Sequence, residues 1–130
     1  MDRCSLCQDF ASILEGLILS QDPCTVLRMR NLQVEILGRP SRSSLTLGAL
    51  FSFESPDATG QTLNLGETVI LQDEINPFIS ALRERDIIIT ALHNHWLFDE
   101  PRIMYIHFES IDEPLSFARK VAEAFQLLRS

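Results

Sequence analysis

The three histidines of the chain, His93, His95 and His107, fall within fifteen residues of one another. Imidazole is the commonest metal ligand among side chains and the natural proton carrier near neutral pH. In a strand, alternate residues share a face, so His93 and His95 point the same way. A hairpin turning at Asp99-Glu100-Pro101 and centred on Glu100 sets His93 opposite His107 and His95 opposite Tyr105. Opposed Cβ atoms lie about 5 Å apart, close enough for two imidazoles to share one ion. Glu109 falls on the same face, one strand step beyond His107. Strand ends and helix starts share a sheet edge where parallel strands are neighbours. If the strands ending at Leu71 and starting at Ile87 are such neighbours, Asp73 and Glu74 come close to His93 and His95. The expected metal set is therefore His93, His95, His107 and Glu74. Nitrogen and oxygen donors of this kind suit a divalent transition metal, zinc or a similar ion. Glu67, Glu74 or Glu109 beside a metal-bound water would give a metal-assisted hydrolase. The rival expectation is a non-catalytic homo-oligomeric interaction module whose histidines are structural. The tripeptide His93-Asn94-His95 is no signature of an HNH nuclease, whose named residues are dispersed.

The elements that position these residues follow from periodicity. Leu6, Phe10, Ile13, Leu14, Leu17 and Ile18 recur at helical spacing, closed by Gln21-Asp22-Pro23. Thr25 to Leu37 reads as a strand, ended by Gly38-Arg39-Pro40, and Ser44 to Phe53 as a second. Ser55 to Gly60 has turn composition, so a third strand is predicted from Thr62 to Leu71. Asp73-Glu74-Ile75-Asn76-Pro77 suits a helix start, with acids at the positive end and proline where amides lack partners. That helix ends near Arg83-Glu84-Arg85. The β-branched run from Ile87 to Leu92 and the segment Arg102 to Glu109 are strands. Asp112 is expected to cap a last helix lined by Leu115, Ala118, Val121, Ala122, Phe125 and Leu128. The order α-β-β-β-α-β-β-α predicts one α+β domain over residues 1–130, a mostly antiparallel five-stranded sheet with helices packed on it.

Composition narrows the function. The 130 residues are 45% hydrophobic and 22% charged, enough apolar material for one core. Eighteen acids against eleven bases leave a net charge of −7, which disfavours nucleic acid as a partner because phosphate binding needs bases. Four of the ten arginines lie between Arg28 and Arg42, with Glu35 the one acid among them. No apolar run approaches the roughly 20 residues of a membrane span. The start, Met1-Asp2-Arg3-Cys4, lacks signal-peptide character, so a cytoplasmic setting with reduced thiols is expected. Cys4 and Cys7 form an isolated C-x-x-C that no strand precedes. A straight helix between Cys7 and Cys24 would hold them roughly 20 Å apart, so their pairing would need a shorter or bent helix. Large apolar residues on both faces of the hairpin (Ile87, Ile89, Leu97 and Ile103; Ile88, Leu92, Trp96 and Ile106) predict an uncovered apolar face and a homodimer.

A family resemblance rests on particular segments. Gly66-Glu67-Thr68-Val69-Ile70-Leu71, Glu74-Ile75-Asn76-Pro77, Thr90-Ala91-Leu92-His93-Asn94-His95, Pro101-Arg102 and His107-Phe108 resemble the bacterial domain of unknown function found in LpqO/LppY-type lipoproteins. The resemblance is strongest over residues 62–128, weaker over 25–60, and implies a bacterial source and a small α+β domain. It implies no activity and no particular small-molecule ligand. The lipoproteins are exported, whereas this sequence shows no lipobox.

Overall fold

The computed structural model describes residues 3–98 and 101–129. The elements are α1 (Arg3–Leu14), β1 (Leu17–Gln21), β2 (Cys24–Met29), β3 (Glu35–Ile36), β4 (Arg39–Pro40), α2 (Ser44–Leu47), β5 (Gly48–Glu54), β6 (Thr62–Leu71), α3 (Ile75–Glu84), β7 (Ile88–Asn94), β8 (Ile103–Asp112) and α4 (Pro114–Phe125). The class is α+β. The main sheet has six antiparallel-paired strands in the order β1-β2-β5-β6-β8-β7, with β3-β4 as a separate small ribbon. The expected five strands become six because Leu17 and Ile18 leave the first helix and pair with Leu27 and Val26.

The cause is a local stop signal. Glu15 adopts φ 57°, its amide donates to the Ser12 carbonyl, and the Gly16 amide donates to Ala11. This is the hydrogen-bond pattern of a helix terminated by one left-handed residue. Gly16 then passes against β2 so closely that a methyl group there would stand 2.8 Å from the Leu27 carbonyl oxygen. Because α1 ends at Leu14 and the chain doubles back, Cys7 and Cys24 form a disulfide with Cα atoms 5.6 Å apart. The long helix that would have separated them does not exist.

Two further expectations change at element ends. The strand expected from Thr25 to Leu37 breaks after Met29 and resumes only as the two residues of β3, and Ser44 to Leu47 forms one helical turn before β5. Asp112 does not cap α4: Glu113 occupies that position with Pro114 following, while the Asp112 carboxylate accepts from Lys120 Nζ at 2.8 Å.

Helices α1, α3 and α4 pack on one face of the sheet. Phe10, Phe78, Phe117 and Phe125 meet Phe51, Phe53 and Phe108 across this layer. Gly66 belongs to it: a methyl group there would stand 2.2 Å from the Phe108 ring, so this glycine makes room for the aromatic. The opposite face is covered at one end, where Val34 and Leu47 bury Val69 and Ile103 with Leu32, Ile36, Leu71 and Trp96 around them. The rest of that face is open.

The β6-α3-β7 unit also departs from expectation. β6 and β7 run in the same direction but are not neighbours, because β8 lies between them and pairs with both. The expected turn at Asp99-Glu100 lies outside the described residues. Both edge strands carry an irregularity, β1 between Ile18 and Ser20 and β7 between Ile89 and Ala91.

Candidate functional site

The irregularity in β7 sets the histidine geometry. It shifts the register, so Ala91 faces His107 and His93 faces Tyr105, in place of the expected pairings of His93 with His107 and His95 with Tyr105. It also moves Ile88 to the open face while Ile89 joins the helix-covered core. His93 and His107 are then diagonal neighbours on the open face. Their rings reach each other, with Nε2 to Nε2 3.0 Å and ring centroids 5.1 Å apart.

The outer nitrogens of the pair are both directed at oxygens. His93 Nδ1 lies 3.1 Å from the Asn94 carbonyl, which can only accept. His107 Nδ1 lies 3.6 Å from Glu67 Oε2, within ion-pair range. Glu67 stands directly across from His107 because β6 is the neighbour of β8. With hydrogens on both Nδ1 atoms, neutral imidazoles present two lone pairs to each other at Nε2. Two facing lone pairs repel, and a proton or a metal ion between them removes the repulsion.

His95 belongs to a different contact set. Its amide donates to the Ile103 carbonyl, and its Nε2–H donates to the carbonyl of Leu45 in α2. Its ring stands edge-on to Tyr105 with centroids 4.1 Å apart, and to Trp96. Desolvation lowers the His95 pKa; the Leu45 carbonyl opposes this, and nearby His93 adds to it. Tyr105 donates to the Gly48 carbonyl at 2.8 Å, and burial followed by the Glu67 charge pushes its hydroxyl up to about 12. It is a fixed neutral donor at physiological pH.

Glu74 is engaged elsewhere. Its carboxylate accepts from Arg30 Nη1 and Nη2, each at 2.9 Å, and from the amides of Leu71 and Arg129. Burial alone would raise its pKa, but Arg30 and the two amides outweigh burial and hold it below the ordinary carboxylate value. Its place in the expected set rested on β6 and β7 being adjacent, and β8 separates them. The sequence marks Glu67 as a general-base candidate and alternation along β6 puts it on the open face, but its position across from His107 depends on β8 pairing that no local pattern encodes. Among the described residues no cluster of three or more His, Cys, Asp or Glu side chains is arranged to hold a metal ion. The site is a two-nitrogen one backed by a carboxylate.

Beside the pair, the open face forms a cleft of about 340 Å³. Thr25, Leu50, Ser52, Leu65, Glu67 and Glu109 line it with His107, and no Lys or Arg does. Fold and site together define a small α+β domain bearing a paired-histidine cleft on an uncovered sheet face. The chain matches the family model described as Domain of Unknown Function (DUF1259) over residues 8–127, and it belongs to that family. No curated protein and no solved structure matches it. Among the described residues, no helix is long and apolar enough to cross a membrane.

Proposed function

We propose that the protein is a binding domain whose histidine pair takes up a divalent transition metal such as zinc, leaving the ion's other positions to water or a small ligand. The observation that carries this reading is the 3.0 Å approach of His93 Nε2 to His107 Nε2, with both Nδ1 atoms directed at acceptors. A carboxylate behind a ligating histidine fixes its tautomer and raises its basicity, which is the place Glu67 occupies. A metal-bound water at the open positions is the version that would hydrolyse a substrate, with Glu67 or Glu109 as the adjacent base. The net charge of −7 supports a small-molecule partner over nucleic acid.

The test uses untagged protein. Zinc is expected to raise the melting temperature of the wild type and not of His93→Ala or His107→Ala. Affinity is expected to fall on acidification, because ligating imidazoles must be deprotonated. No metal at purification, together with a melting temperature indifferent to zinc and to chelator, overturns the reading.

A second reading has its own observation. Leu17, Ile88 and Ile111 lie on the open face at 67%, 51% and 63% exposure. They support the non-catalytic homo-oligomeric module, with two copies meeting face to face. The irregular edge strands disfavour edge-to-edge pairing. A dimeric mass by light scattering at tens of micromolar supports it, and a monomeric mass removes it. The expected cytoplasmic setting belongs here too, and the Cys7–Cys24 disulfide weighs against it, since such bonds persist in oxidising compartments.

A further inference from the structure

The open face is chemically two-sided along its strand register. One row runs Leu17, Leu27, Leu50, Glu67, His107 and Ala91 from β1 to β7. The next runs Ser20, Thr25, Ser52, Leu65, Glu109 and Ile88. In the first row Leu50, Leu27 and Leu17 lie in line on β5, β2 and β1, leading away from Glu67. The two carboxylates stand on β6 and β8, diagonal to each other. The 340 Å³ cleft lies at the junction, with Leu50 and Leu65 beside Glu67 and Glu109.

We infer that this cleft binds a small amphipathic cation, a primary amine carrying an unbranched apolar chain. The ammonium sits between Glu67 and Glu109, and the chain runs over Leu50 towards Leu27. Three observations carry the inference. Both carboxylates are only partly buried and point into one cleft, so neither is sequestered in an ion pair with a Lys or Arg among the described residues. The cleft wall contains no Lys or Arg that would repel a cation or hold an anion, and its one histidine, His107, turns Nδ1 to Glu67 and Nε2 to His93. The leucines begin one strand away from the carboxylates, and Leu27 lies two strands from Glu67, about 10 Å, the reach of an octyl chain. An anionic lipid-like ligand would bring its head against two carboxylates, which like-charge repulsion disfavours. The inference uses the face that carries the histidine pair and does not require the metal. A metal ion held between His93 and His107 would repel the ammonium, so the two ligands weaken each other.

The test uses chelator-treated full-length protein and three probes: n-octylamine, n-propylamine and n-octanoate. Binding is followed by the amide signals of Leu50, Leu65, Glu67 and His107 in heteronuclear NMR. Octylamine is expected to shift them, octanoate to leave them unmoved, and propylamine to bind at least about tenfold more weakly for want of apolar contact. Glu67→Gln and Glu109→Gln are each expected to weaken octylamine about tenfold, because each removes a charge-assisted contact. Both side chains are partly exposed, so the variants keep the fold, and the unperturbed remainder of the spectrum verifies this. Octanoate binding as well as octylamine, or octylamine binding indifferent to both variants, overturns the inference. Binding seen only with zinc present overturns it and leaves the metal reading standing. Absence of binding with a dimeric mass overturns it in favour of a face buried between two copies.

Discussion

The Arg30–Glu74 pair is the most consequential charged contact for stability, with both side chains almost fully buried. Removing one partner leaves the other charge stranded in the interior, so Glu74→Ala is expected to cost about 3–5 kcal/mol in urea unfolding. The pKa of Glu74 is depressed in the folded protein, so the unfolded chain binds its proton more readily. The contribution is therefore complete above the ordinary value of 4.5 and is lost as pH falls through the lower folded value. Wild type is expected to lose stability steeply below that point, and Glu74→Gln to lose this part of the slope. His95 gives a second pH signature. Its pKa is lowered, so folding disfavours its proton, and stability declines as pH drops below 6.5 until the folded value is passed. NMR titration is expected to place the His95 midpoint below 6.5, and a midpoint above that value refutes the burial argument. Residue types group all three histidines, of which only His93 and His107 meet ring to ring. They do not reveal that Glu74 is held by Arg30, a contact spanning 44 positions that no local pattern encodes.

At the scale of elements, the end of α1 offers the sharpest experiment. Glu15 occupies a left-handed conformation that glycine adopts without penalty. Glu15→Gly is therefore expected to stabilise the protein by about 1 kcal/mol. Gly16→Ala is expected to destabilise it, because the added methyl meets the Leu27 backbone oxygen, which β-pairing holds in place. Denaturant midpoints of the two variants on either side of wild type check both. This junction also explains what the sequence hides. Leu17 and Ile18 continue the helical spacing of Leu6, Phe10, Ile13 and Leu14, so periodicity alone runs the helix onward. The stop is encoded by Gly16 one position beyond the left-handed residue, where an isolated glycine is easily read through. Elements bounded by stronger punctuation were legible: β6 spans Thr62–Leu71 as the spacing predicts, and α3 follows the acidic and proline start. Thr90, the unpaired residue of β7, has no distinctive side chain, so the register shift that seats His93 against Tyr105 left no mark in the sequence.

For the whole molecule, the disulfide ties α1 to the sheet across a separation of 17 residues. Cross-links closing loops of this length are worth about 3 kcal/mol. Reduction, or Cys24→Ser, is expected to lower the melting temperature by roughly 10 °C for a domain of this size. Exposed Cys4 lies outside the bond, so Cys4→Ser is expected to leave the temperature unchanged. A thermal scan of wild type and both variants, with and without reductant, separates these outcomes.

The placement of β8 between β6 and β7 has a consequence in time. A chain emerging from its N-terminus presents β6, α3 and β7 before the strand that joins them exists. Until residues 103–112 follow, His93 has no ring to face, Glu67 has no histidine across from it, and β7 has nothing to pair with. The cleft is thus the last part of the sheet to be assembled during synthesis. A product cut short before Ile103 carries two of the three histidines and lacks the His93–His107 pair.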